Sequence, residues 1–551
     1  MDAGVSPLIH DAPTGVRTSM GAPRRRRRPV WLFDTHARTL GTLVVLGLNG
    51  GVVLGAPGLL LSAAIAGSAT NPSSPARAPM EPGRVCGNPA LLDGPSAPPV
   101  GAVTVVSGEN LTSMVAADGP GTTFWLSPGT YTFGRGVYSQ IIPRSGDQFI
   151  GAPGAVIDGE HQNYYAFTQQ ATDVTVEYLT IQDFGIVGGN NNEGVVNHDS
   201  GTGWVVAHNT IRDNAGAGVM IGSKDVVEAN CLTNNGQYGF NAYSIHGVTD
   251  IQITNNEISD NDTFNWQTRD PTCGCEGGGK LYETDGAVIT GNFIHDNHDV
   301  GLWVDTDGAG FNISQNYISG NYAQGIFYEA SYNARISDNT LVHNGLRDGR
   351  KNSGNFPIAA IYVSSSGSDK RVPGPYAMRL TITGNILVNN WAGVVLWDDA
   401  NRFCYANGEP CTLVNPSKFN QSTCDRGNLA KAEPGQRPVN YYEGCRWTTQ
   451  NVWVTRNTFR FDPSVIGRGC VPSNGCGLQG LFVGAADATP AWSPYQESAV
   501  QDAVTQHAGN VFEHNFYKGP WLFMVHDQRT VVSFRVWQHD WRQDAHSTFS
   551  G

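Results

Sequence analysis

The stretch "VVAHNTIRDN", residues 205 to 214, holds two short runs of alternating apolar and polar residues, each closed by an asparagine. Its pattern returns as "VVEANCLTNN" (226 to 235), "IQITNNEISDN" (251 to 261), "VITGNFIHDN" (288 to 297), "NISQNYISGN" (312 to 321), "RISDNTLVHN" (335 to 344) and "TITGNILVNN" (381 to 390). The first asparagine of each falls at 209, 230, 256, 292, 316, 339 and 385, with a weaker copy at Asn457. Alternation over four to six residues ended by Asn, Gly or Asp is the chemistry of short strands and tight turns, not of helices. Most intervals lie between 21 and 26 residues, the longer ones (256 to 292, 339 to 385, 385 to 457) containing insertions, and recurrence at such a spacing marks a solenoid. A leucine-rich array is excluded, because no L-x-x-L-x-L core recurs and no helical period separates the strands.

Each repeat is therefore expected to form one coil of an all-β solenoid, its three short strands pairing in parallel with the coils above and below. The recurrent asparagine should sit at a corner, take up the left-handed conformation and hydrogen-bond its equivalent one coil away.

Aligned on their glycines, the lines Gly239-Phe240-Asn241-Ala242-Tyr243, Gly301-Leu302-Trp303-Val304-Asp305, Gly325-Ile326-Phe327-Tyr328-Glu329, Ala360-Ile361-Tyr362-Val363-Ser364 and Gly393-Val394-Val395-Leu396-Trp397 define a further strand position. Alternation turns positions one and three inward and positions two and four outward. One outer column should carry Asn241, Trp303, Phe327 and Tyr362, and the next Tyr243, Asp305, Glu329, Ser364 and Trp397. Aromatic faces beside carboxylates suit a sugar ring and its hydroxyls. Asn241, Tyr243, Trp303, Phe327, Tyr362 and Trp397 are thus the expected substrate-binding residues. The same face also reads as packing beneath inserted loops.

The series resembles the right-handed parallel β-helix repeats of the pectate-lyase-like superfamily over roughly residues 100 to 465, and "DGPGTTFWLSPGTYTF" onward resembles that family's first coils. The resemblance implies a right-handed helix closed by a short N-terminal cap. It does not fix an activity, since the fold hosts lyases, hydrolases, epimerases, tailspikes and adhesins. "EGGGKLYETDGAVITGNFIHDNHDVGLWVDTD", residues 276 to 307, is similar to a recurring, poorly characterised bacterial group with a GG-x-K segment, an HDN turn and GLW-x-D-x-D. Finer signatures fail. "WDD" at Trp397 to Asp399 has no Gly-His-Gly to complete a polygalacturonase site, and "YGFNAY" (238 to 243) puts Asn241 and Tyr243 where mannuronan epimerases carry Asp and His.

Two chemistries remain open. Asp305 and Glu329, on neighbouring coils with origins about 5 Å apart, fit the carboxylate pair of retaining glycoside hydrolysis. Alternatively Asp305, Asp307 and Glu329 share a Ca²⁺ that neutralises a uronate while Lys280 serves as the base of an elimination. Lys280, Tyr282 and Glu283 fall near the same columns, and His295 and His298 at a turn. The expectation is an exported carbohydrate-binding protein that cleaves polysaccharide by lyase or hydrolase chemistry. Its alternative is a noncatalytic surface or adhesion rod. Convergence of Lys280, Asp305 and Glu329 separates the two.

Over 551 residues the net charge of −13 argues against nucleic acid and leaves a polysaccharide or cell-surface glycan as the expected partner of a monomeric chain. "RRRRR" (Arg24 to Arg28) precedes the uncharged run Leu40 to Gly67, so residues 1–69 read as an Arg-rich stretch with a signal or membrane-spanning segment, and 70–99 as a Pro-rich linker. Cleaved or retained, this leader places the rest outside the cytoplasm, in contact with the membrane only through the N-terminal segment. Ten cysteines suit that compartment. Proximity pairs Cys404 with Cys411, Cys424 with Cys445 and Cys470 with Cys476. Cys273 and Cys275 read as disulfide-bonded rather than zinc-binding, and Cys231 as core. The β-helix is expected over 100–465, with a Cys-rich insertion at about 401–450, followed by a C-terminal loop and capping segment over 466–551.

Overall fold

The computed structural model describes residues 82–186, 194–270, 274–351, 358–398, 447–483, 506–525 and 530–551. The leader, Cys273 and the cysteines at 404, 411, 424 and 445 lie outside the described residues. Within them the repeats fold as expected into three parallel sheets of thirteen, thirteen and eleven strands. The first sheet runs from Val103–Val105 to Val511–Glu513, the second from Gly129–Tyr131 to Thr548–Ser550, and the third from Gly194–Val196 to Val531–Val532, whose last pairing is antiparallel. Stacking thus continues beyond residue 465.

Each opening stretch supplies two of the three strands. In "VVAHNTIRDN", Val205–Ala207 joins the first sheet and Thr210–Arg212 the second. Their central residues, Val206 and Ile211, point inward and are buried, and the equivalents Val227, Ile253, Ile289, Ile313 and Ile336 continue the stack. Burying such side chains supplies about 25 cal/mol per Å² of apolar surface, which drives the coils together.

The asparagines form two buried ladders at the corners that follow the first and second sheets. Asn316 accepts from the backbone N–H of Asn292 at 3.0 Å and from its Nδ2 at 3.0 Å, and donates to Asn339 Oδ1 at 2.9 Å and to the Ile289 carbonyl at 2.9 Å. Asn321, Asn344 and Asn390 repeat the pattern at the next corner. One expectation is corrected. The left-handed residue is the one before the ladder asparagine: His208, Ala229, Asn255, Gln315 and Asp338 all have φ between 52° and 59°. The turn is made there, which leaves the asparagine side chain free to point along the stack.

At the N-terminal end the helix Leu111–Ala117, capped by Asn110, buries Leu111 and Val115 against the first coil. At the other end the helix Phe534–His539 buries Trp537. Asp544 accepts there from Tyr517, Trp537 and Asn515, at 2.9, 2.8 and 3.0 Å.

Cys470 bonds Cys476 as proximity suggests, and Cys275 is disulfide-bonded. Cys231 is corrected. It points outward from the second sheet and bonds Cys86, 145 residues earlier. No helix among the described residues is long and apolar enough to cross a membrane.

Candidate functional site

The third sheet sets the columns. Its register places Asn241 beside Lys280, Lys280 beside Trp303, Trp303 beside Phe327 and Phe327 beside Tyr362, while Tyr282 stands beside Asp305 and Ser364 beside both Glu329 and Trp397. The rings of Trp303 and Phe327 stack at 5.2 Å, those of Phe327 and Tyr362 lie 4.9 Å apart, and Tyr362 stacks on Trp397 at 5.8 Å. Alternation alone produces this arrangement, since Leu302, Val304, Ile326 and Tyr328 take the inward positions.

The columns are not the open face that outward-pointing strand positions suggest. Trp303, Phe327, Tyr362, Trp397, Asn241, Asp305 and Glu329 are all buried. Tyr243, at 39% exposure, is the accessible member, with its ring 5.7 Å from that of Tyr282. Lys280 keeps 14% of its side chain in solvent.

Lys280 joins the two columns. Its Nζ lies 2.9 Å from Asp305 Oδ2, donates to the Gly274 carbonyl at 2.9 Å and sits 3.8 Å from the centre of the Trp303 ring. Thr306 donates to Asp305 Oδ1 at 2.9 Å, and the Trp303 indole donates to Glu329 Oε2 at 2.7 Å. Lys280, Asp305, Trp303 and Glu329 therefore form one connected group. The Lys280 Nζ thus spends its hydrogen-bonding capacity on Asp305 and on the Gly274 carbonyl. Gly274 makes the close contact possible: it adopts φ +58°, and a Cβ there would meet Lys280 Nζ at 3.1 Å and the Trp303 ring at 3.3 Å.

Among the described residues no three His, Cys, Asp or Glu side chains gather as a metal-holding group, Asp305, Asp307 and Glu329 included. Asp305 is turned to Lys280 and Thr306, and Glu329 to the indole. His295 lies on the second sheet, bonded to Glu257 and Asp296, and His298 stacks on Tyr322.

Sequence reasoning missed a cluster of acids next to this group, of which Asp262 and Glu276 are buried and Asp299 half-buried. Burial pushes the Glu276 carboxyl up to about 8, aided by Asp262 and Asp305 and opposed by Lys280. Asp262 is likewise pushed up to about 8 by burial, and Asp299 is raised well above its ordinary range by desolvation and by Glu276. Tyr238 donates to the same Gly274 carbonyl as Lys280. A carboxyl that keeps its proton at neutral pH is a proton donor. The signal was the glutamate opening "EGGGK", four residues before the lysine.

This architecture defines a right-handed parallel β-helix protein. Residues 193–374 match the family model of the right handed beta helix region. No curated protein matches the sequence. Similar solved structures include the A-module of the Azotobacter vinelandii mannuronan C-5 epimerase AlgE4, 13% identical over 64% of this chain and 89% of that one, with a TM-score of 0.35. The PL6 family alginate lyase AlyGC is 10% identical over 77% of this chain and 52% of that one, TM-score 0.38. PfbA, a surface adhesin of Streptococcus pneumoniae, is 10% identical over 54% and 87%, TM-score 0.34.

Proposed function

We propose that the protein is an exported β-helix that binds a polysaccharide at the third-sheet face around Lys280 and cleaves it there. The observation that carries this reading is convergence: Lys280 pairs with Asp305 at 2.9 Å while lying on the indole that holds Glu329. Tyr243 and Tyr282 offer a sugar-stacking edge beside it. In this reading Asp305 is the carboxylate base, Glu276 the proton donor and Lys280 the charge that steadies a developing oxyanion. The Cys86–Cys231 disulfide supports export.

Burial of Trp303, Phe327, Tyr362 and Trp397 favours a second reading, a noncatalytic surface protein in which the columns only stiffen the rod.

The full chain, incubated with neutral and uronate polysaccharides, discriminates them. New reducing ends with the ultraviolet band of unsaturated uronate indicate elimination, and reducing ends alone indicate hydrolysis. Binding without either contradicts cleavage and leaves the second reading.

A further inference from the structure

The chain before the first coil is fastened to the middle of the rod. Cys86 is bonded to Cys231 on the outer face of the second sheet. One coil further on, Glu257 Oε2 accepts the backbone N–H groups of Val85 and Cys86 at 2.7 and 2.8 Å, and its Oε1 pairs with Arg84 at 2.8 Å. His295 braces the same carboxylate at 3.2 Å, and the Arg84 guanidinium lies 4.6 Å from the centre of the Phe293 ring. From there the chain runs back to the first coils. The Pro95 carbonyl accepts from the Trp125 indole at 3.1 Å, and Gly94 is seated so closely that a Cβ would meet the Gly151 carbonyl and the Tyr178 side chain.

We propose that residues 84–95 are an oxidation-closed strap that carries tension entering from the N-terminal side directly into the coil of Cys231. The six first-sheet strands from Val103–Val105 to Val226–Glu228 lie inside the covalent loop and outside the load path. The strap closes when the two thiols give up two protons and two electrons to a disulfide-exchange oxidant, and a dithiol reductant reverses it by becoming a cyclic disulfide. Glu257 docks the strap noncovalently and so keeps the reductant from the sulfurs. The device does not depend on the glycan reading and holds for any pull applied upstream of residue 84.

The full chain, pulled by its two ends in a single-molecule instrument, tests it. The Cys86–Cys231 separation is 145 residues. At 3.3–3.6 Å per extended residue, the fully unfolded length with dithiothreitol should exceed that without it by roughly 50 nm attributable to this loop. Equal lengths in the two conditions overturn the strap. Docking is read separately from the rate at which dithiothreitol reduces the Cys86–Cys231 bond in the folded chain. Glu257→Gln should raise that rate several-fold, and an unchanged rate overturns the shielding by Glu257.

Discussion

The Trp303 indole donates to Glu329 Oε2 across 2.7 Å and so ties the aromatic column of the third sheet to its acidic column. Both residues are buried, so the bond forms where water competes little. Trp303→Phe keeps a ring in the stack but removes this donor and the part of the indole that lies against Lys280 and Gly274. It should destabilise the fold by about 1–3 kcal/mol, measured as a lowered denaturation midpoint, because the buried carboxylate loses a donor.

The asparagine ladder is expected to carry more. Asn316→Ala strands the Asn292 amide and the Ile289 carbonyl in a dry corner and should cost about 3–5 kcal/mol. A solenoid unfolds through its nearest-neighbour interfaces, so hydrogen exchange should rise first in the coils on either side of residue 316. A loss no larger than that of an exposed Asn→Ala change would contradict the ladder's role.

Buried acids set the pH response. The folded-state values of Asp225, Asp262 and Glu276 are raised by burial, to about 7, about 8 and about 8. A group raised in this way contributes stability that is fully present below its unfolded value near pH 4 and is lost as pH rises through 7 to 8. Glu257 acts oppositely: held down to about 2 by hydrogen bonds from His295, Cys86, Val85 and Arg84, which outweigh its burial, it contributes stability that is lost as pH falls toward 2. The melting temperature should therefore be highest near pH 4 to 5, fall as pH rises from there to about 8, and level off above. Asp262→Asn keeps the acceptor for the Trp266 N–H and removes the titration. It should flatten the alkaline limb, and an unchanged limb would contradict the assignment.

Much of the fold was legible because each coil repeats a local rule. The apolar residue between two polar ones in "TIRDN" and the asparagine after it are enough to specify a strand, a corner and a ladder. Alternation also placed Lys280, Trp303 and Asp305 in adjacent columns correctly. Burial was not legible. Position two of a strand points outward, but whether water reaches it depends on what covers it, and pattern carries no record of that. Cys231 shows the same limit: its place in a repeat suggested core, whereas its partner, Cys86, lies before the first repeat. Glu276 was missed because its importance comes from being buried beside Asp262 and Lys280, a property of three segments together.

The C-terminal cap yields one more expectation. Asp544 gathers Tyr517, Trp537 and Asn515 beneath the last coil, with its carboxyl raised by burial. Asp544→Ala should leave these donors unpaired and expose the final strands, lowering the midpoint by about 2–4 kcal/mol and promoting self-association through the freed edge. Light scattering that stays monomeric through the transition would contradict the capping role.

Glycan chemistry at the Lys280 group is the proposal on which the functional reading rests. Its most direct test compares polysaccharide cleavage by the full chain and by Lys280→Met, whose side chain keeps the apolar stem over Trp303 and loses the cation paired with Asp305. Turnover should fall at least a hundredfold with the far-ultraviolet spectrum of the β-helix unchanged. Turnover within twofold of the parent in a folded Lys280→Met protein would contradict it.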